Sequence, residues 1–203
     1  MTKTDFLNTV VHGYIKKDLG DIKTYLPKRP GEAGNNNFSI ALCVLSYMEY
    51  LGSFFTLDDF NFEKNVEVYM KNCFGNSEEY HPAILGDLFR NGLAHDYFAR
   101  GGVGRDGIKP GLYRNWDKKA VLDADTLLDD FLASLDKFSG ELPDDNYIKR
   151  MAMAESKIKE RETKYASEIE KLTFIGDIPN ARTSGATIYP GPVNITRPYD
   201  PNE

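Results

Sequence analysis

Cysteine is scarce in this chain. There are two, Cys43 and Cys73, in 203 residues, too few for the disulfide framework of a small secreted scaffold. Each falls inside an apolar helical pattern and reads as a buried thiol in a reducing compartment. A single bridge between two packed helices is the alternative. Histidine is nearly as rare, with three residues, and none of the His and Cys spacings suits zinc. Positive charge is in deficit: 25 Lys and Arg stand against 31 Asp and Glu, a net −6. That argues against broad nonspecific nucleic-acid binding, which relies on neutralising phosphates, but leaves room for a local basic patch. Long apolar runs are missing. The longest, Ile40 to Leu45, is interrupted at Ser46 and Glu49, so no membrane span is expected. Met1-Thr2-Lys3-Thr4-Asp5 leads into a mixed polar helix, not an apolar core with a cleavage site, and a cytoplasmic location is expected. Gly101-Gly102-Val103-Gly104 lacks the Lys-Ser or Lys-Thr of a phosphate loop.

What is present suffices for a real core: 41% apolar residues, with 12 Phe and 12 Tyr beside one Trp. A first helix is capped by Thr4 or Asp5 and runs to about Tyr25. Its apolar residues Phe6, Val10, Val11, Tyr14, Ile15, Leu19 and Ile22 recur at spacings of three and four. His12 lies on it as a packed or surface residue. Phe38 to Phe55 reads as the most buried helix, apolar nearly all round, with Gly52 at its end. Glu49 is its exception. A carboxylate there must be paired or shift its pKa. It either orients a polar group of a site or serves a purely structural pair. Asp58 or Asp59 is the expected cap of the next helix, Phe60 to Phe74.

The following helix opens near Glu78 or Pro82, since proline suits a first turn. It carries Leu88-Phe89-Arg90-Asn91-Gly92-Leu93-Ala94-His95-Asp96-Tyr97-Phe98, where a guanidinium, an amide and an imidazole sit inside an apolar run. Asn91 and His95 share a helix face. Arg90 and His95 are five apart, about 140° around an ideal α-helix. They flank one cleft only if the helix is distorted near Gly92 or if two subunits share the site. Tyr97 to Val121 is rich in glycine and reads as a loop with one or two short strands, with a hairpin around Asn115-Trp116-Asp117 and a return strand from Lys118 to Leu122. It carries Arg100, Arg105, Lys109, Arg114, Lys118 and Lys119, the one locally basic stretch. Either it contacts nucleic-acid phosphates, with Tyr97, Tyr113 or Trp116 stacking on bases, or it is an ordinary solvated hairpin. Asp123 or Asp125 caps a helix through Phe138. Its clustered Asp125, Asp129, Asp130 and Asp136 are better explained by helix-start electrostatics and a solvated face than as metal ligands. A charged helix from Tyr147 to about Leu172 follows. A Pro- and Gly-rich stretch to Glu203 reads as an extended arm.

The Arg90-Asn91…His95 pattern resembles the Arg-x4-6-His signature of the HEPN family (higher eukaryotes and prokaryotes nucleotide-binding), in which a polar residue, often Asn, follows the Arg. The resemblance is confined to about residues 35–140. It implies a mainly α, antiparallel helical bundle over residues 1–142. A short hairpin or loop insertion follows the motif helix, and the charged helix (143–173) and arm (174–203) are appended. It implies a homodimer acting as a ribonuclease without metal or cofactor. His95 would move the proton of the RNA 2′-hydroxyl, Arg90 would stabilise the phosphorane, Asn91 would position phosphate or imidazole, and Glu49 would support them. Arg100, Arg105, Lys109, Arg114 and Tyr97 are the candidate nucleic-acid contacts. The family also holds non-catalytic members. A binding or regulatory module with a protein partner, of toxin–antitoxin or defence type, is therefore the competing expectation, and an unrelated helical protein is the third.

Overall fold

The computed structural model describes residues 1–26, 36–59, 61–96 and 101–172, the side chains of His95 and Asp96 excepted. The arm expected from residue 174 onward therefore lies outside the described residues. Contacts divide the chain into two units, Lys3–Arg150 and a second made of Met1–Thr2 with Met151–Glu203.

The Lys3–Arg150 unit is a helical bundle carrying a small sheet. Helix α1 is continuous: Lys3–Phe6, a π-helical Leu7–Lys16, then Lys17–Tyr25. It buries Phe6, Val11, Ile15 and Leu19, the three- and four-residue stripe legible in the sequence. Helix α2, Asn37–Thr56, is the central element and packs on α3 (Phe62–Cys73) and α5 (Ala124–Glu141). By length and composition α2 passes for a membrane span, but half of its apolar window is buried inside the fold. Ile40, Ala41, Val44, Leu45, Met48, Leu51 and Phe54 are all closed off from solvent. Apart from Ala41, each of these side chains contributes about 1.5–3 kcal/mol relative to exposure.

Gly52 does not end α2. The helix runs on to Thr56, and Gly52 is where α3 crosses it: an added Cβ would lie 2.1 Å from the Asn65 carbonyl oxygen. Asn65 is buried at that crossing and donates from Nδ2 to the Asp58 carbonyl at 2.7 Å. The cap of α3 is Asn61, whose side chain accepts from the Lys64 N–H, rather than Asp58 or Asp59. Asp59 serves a different pair. Its Oδ1 lies 2.6 Å from Arg150 Nη2, while Arg150 Nε donates to Ser53 Oγ and its guanidinium lies over the Phe54 ring. Phe54 also stacks on Tyr147, and Phe6 tilts against both rings, so the start of helix α6 (Asp144–Lys164) is held on α1 and α2 by aromatic contact.

Helix α4 starts with Pro82 in its first turn, as Pro82–Ile84, and continues as π-helix over Leu85–Arg90 and Gly92–Asp96. The glycine-rich region after it holds three strands rather than one or two. Strands β1 (Gly102–Gly104), β2 (Leu112–Arg114) and β3 (Ala120–Asp123) form a sheet in the order β1-β3-β2. β2 and β3 make the expected antiparallel hairpin, with Tyr113 opposite Val121. β1 pairs parallel to β3, with Val103 opposite Leu122. The return strand begins at Ala120, because Lys118 takes a left-handed conformation (φ 63°) and belongs to the turn. Asp123 caps α5 by accepting from the Thr126 N–H at 2.9 Å. It also takes the N–H groups of Asp106 (2.7 Å) and Gly107 (3.2 Å), so one fully buried carboxylate anchors both a helix start and a loop.

In the second unit the rest of α6 and a short helix α7, Ala166–Ile169, are strongly charged. The Lys164 ammonium lies over the Tyr165 ring at 5.1 Å. In the Lys3–Arg150 unit, Cys43 is half-buried and Cys73 buried, both as free thiols.

Candidate functional site

The arginine of the motif is gripped from three elements. Its Nη2 donates to Glu49 Oε2 of α2 at 3.1 Å. Its guanidinium lies 5.9 Å from the centre of the Phe62 ring, the first residue of α3. Its Nη1 lies 3.4 Å from Asn91 Oδ1, a long contact on the solvent side. Gly86, one turn earlier, leaves room for that ring: a Cβ there would meet Phe62 at 3.0 Å. Glu49 is thus the carboxylate on an apolar helix that holds the guanidinium, while 30% of the Arg90 side chain stays open to solvent. Phe62 has no counterpart among the sequence-derived candidates. Its role depends on two helices crossing at Gly52, which no local pattern announces.

The helix geometry matters as much as the pair. The Asn91 N–H bonds to the Gly86 carbonyl, five residues back. In a turn closed from i to i+5, positions five apart come far closer in angle than the about 140° of an α-helix. Positions 90 and 95 are separated by that interval and sit in two π-helical stretches joined at Asn91. π-turns of this kind occur often at functional sites. Gly92 and Leu93 are buried, Asn91 and Ala94 exposed. The His95 side chain, and Tyr97 and Arg100 altogether, lie outside the described residues.

The basic stretch divides. Arg105 is not a phosphate contact: its side chain is 5% exposed, Nε donates to Asp125 Oδ1 at 2.8 Å and Nη1 to the Leu26 carbonyl at 3.0 Å. A guanidinium this desolvated is retained because both acceptors are in place. Lys109 reaches Asp130 at 3.7 Å with most of its side chain exposed. Asp130 is already taken by the Tyr80 hydroxyl at 2.6 Å and Asn76 Nδ2 at 2.9 Å. Burial, with the Asp130 carboxylate beside it, drives the Tyr80 phenol far above its ordinary range, so it stays a protonated donor. Arg114 is exposed at the end of β2.

Elsewhere, His12 Nε2 lies 3.1 Å from Ser139 Oγ, and its Nδ1 is 3.9 Å from Asp136, so it ties α1 to α5. Asp129 and Asp136 pair with Lys23 and Lys16 on a solvated face as expected, whereas Asp125 and Asp130 turn inward, to Arg105 and to Tyr80 with Asn76. Among the described residues no group of three or more His, Cys, Asp or Glu is gathered as metal ligands would be. The fold is thus a mainly α bundle with a three-stranded sheet beside a part-open arginine site. Comparison with family models, with curated proteins and with solved structures returns no match.

Proposed function

We propose that the protein is a metal-independent endoribonuclease of HEPN type, acting as a homodimer. The observation that supports it best is the Arg90 guanidinium, fixed by Glu49 and Phe62 yet part-open to solvent, on a helix whose π-turns suit a five-residue Arg–His interval. A planar fork held in this way is organised to receive a phosphate. In the proposed reaction the ribose 2′-oxygen attacks the adjacent phosphorus and the bond to the 5′-oxygen breaks. His95, or its copy in the second subunit, takes the 2′-hydroxyl proton, and the other imidazole supplies one to the 5′-oxygen. Arg90 neutralises the phosphorane, and Asn91 positions the phosphate through its amide. The products are a 2′,3′-cyclic phosphate and a 5′-hydroxyl.

A specific observation favours a second reading. Arg90 already carries a carboxylate partner, and the chain is acidic, as suits a non-catalytic module that binds a nucleotide or a protein in a toxin–antitoxin or defence setting. Incubation of RNA in EDTA separates the two. Cleavage by wild type that disappears in His95→Ala is expected. A well-folded wild-type protein that leaves RNA intact moves the assignment to the binding module.

A further inference from the structure

The tip of the β2–β3 hairpin carries the chain's single tryptophan, and Trp116 is fully exposed. The tip is built rigidly. The Asn115 N–H bonds to the Lys119 carbonyl, the Lys118 N–H to the Asn115 carbonyl, and the Lys119 N–H to Asn115 Oδ1. With Lys118 left-handed, this is a three-residue loop closed by a bulge, and Trp116 occupies its first corner. Arg114, Lys118 and Lys119 lie within three residues of Trp116 in the chain, with Asp117 the one carboxylate among them, and all four are exposed. Arg105 and Lys109 are committed to aspartates, whereas none of these three cations pairs with a carboxylate among the described residues.

We infer that this tip is a docking platform for single-stranded RNA: the Trp116 ring stacks on a base while Arg114, Lys118 and Lys119 hold the flanking phosphates. An aromatic face among cations is the combination that recognises an unpaired strand without reading its sequence. Because the turn is already ordered, little conformational freedom is lost on binding. The sheet that carries the tip touches the helix that carries Arg90. A Cβ on Gly101 would meet the Ala120 carbonyl at 2.6 Å and the Phe89 ring at 2.9 Å. The base of β3 and the residue before Arg90 therefore meet at one glycine. Trp116 is four residues from Ala120, at most about 13 Å of extended chain. In this proposal a bound strand runs on from the tip toward Arg90. The inference rests on the nuclease reading only for where that strand leads.

The lone tryptophan makes the test direct. Intrinsic fluorescence of the full-length His95→Ala protein is titrated with a short unstructured RNA. In parallel, anisotropy of labelled RNA is followed with wild type, Trp116→Ala, Trp116→Phe and Lys118→Glu/Lys119→Glu. Expected are quenching of Trp116 and about tenfold weaker binding by Trp116→Ala. Trp116→Phe is expected to keep most of the affinity, and the charge-reversed protein to show a shallower salt dependence. Quenching without cleavage by wild type keeps the platform and removes the nuclease. Cleavage with unchanged fluorescence and an unimpaired Trp116→Ala removes the platform and keeps the nuclease. A spectral shift with anionic vesicles but none with RNA overturns the inference in favour of a membrane surface.

Discussion

Replacing Gly52 by alanine puts a methyl carbon 2.1 Å from the Asn65 carbonyl oxygen and 2.6 Å from its carbonyl carbon. Both are backbone atoms inside a helix, so no side chain can swing aside. An ordinary carbon–oxygen contact needs about 3.3 Å, so α2 and α3 must separate by about 1 Å at their crossing. A gap of that size forfeits a quarter to a half of the dispersion well at each contact it opens. Overpacking of this kind costs about 1–3 kcal/mol, and an unyielding backbone puts this site at the upper end. At about 2–4 °C per kcal/mol for a unit of this size, Tm falls by about 6–12 °C. The same substitution at Gly20, in α1 with nothing within 4 Å of the added carbon, gains about 1 kcal/mol of helix propensity and raises Tm. Thermal unfolding followed by circular dichroism compares the two. A Gly52→Ala protein as stable as wild type, or a Gly20→Ala protein equally destabilised, refutes the crossing as described. Glu49 lies three residues before Gly52 and Phe62 three before Asn65, so the crossing also sets the Arg90 site.

Three other outcomes are expected. Asp123→Ala strands three backbone N–H groups at 2.7–3.2 Å from the lost carboxylate; a loss of about 3 kcal/mol is expected from the urea midpoint, with Asp123→Asn intermediate. Arg105→Met removes a guanidinium bound to Asp125 and Leu26, costs about 2–3 kcal/mol because Asp125 partly recovers its hydration, and leaves RNA affinity unchanged, whereas Arg114→Glu lowers affinity with little effect on Tm. Burial pushes the Cys73 thiol from 9.0 up to about 12, and the Tyr50 phenol from 10.0 up to about 12. Both folded values are raised, so the stability they carry is complete below pH 9 and is lost as pH rises from about 9 through about 12, because the unfolded chain releases those protons first. Urea midpoints that stay level across that range contradict this assignment, as does rapid labelling of Cys73 by a thiol reagent at pH 8 in native protein.

The helices were legible because burial leaves a periodic trace. Phe6, Val11, Ile15 and Leu19 mark the buried side of α1, and the near-continuous apolar run of α2 marks a core helix. Asp123 was legible as one of two candidate caps, with Asp125, because that role is local, three residues from its donor. What hid was non-local. β1 is Gly-Val-Gly, with too few side chains for an alternating pattern, and its partner is a strand beyond β2. Gly52 has the composition of a terminator but acts as a contact point, because its neighbour Asn65 comes from another helix. Arg105 lies in a run of cations and looks solvated; its partners, Asp125 and Leu26, are 20 and 79 residues away. The π-turns around Arg90 leave no compositional mark, and without them the five-residue interval to His95 suggests opposite faces.

The central claim is that Arg90 and residue 95 act on a single phosphate. Its most direct measurement is end-group analysis of RNA incubated in EDTA with wild type, Arg90→Ala and His95→Ala, each shown to be folded by circular dichroism. The account predicts fragments ending in 2′,3′-cyclic phosphate from wild type and none above background from either variant. Cleavage that survives in both variants, or fragments ending in 3′-hydroxyl, contradicts it.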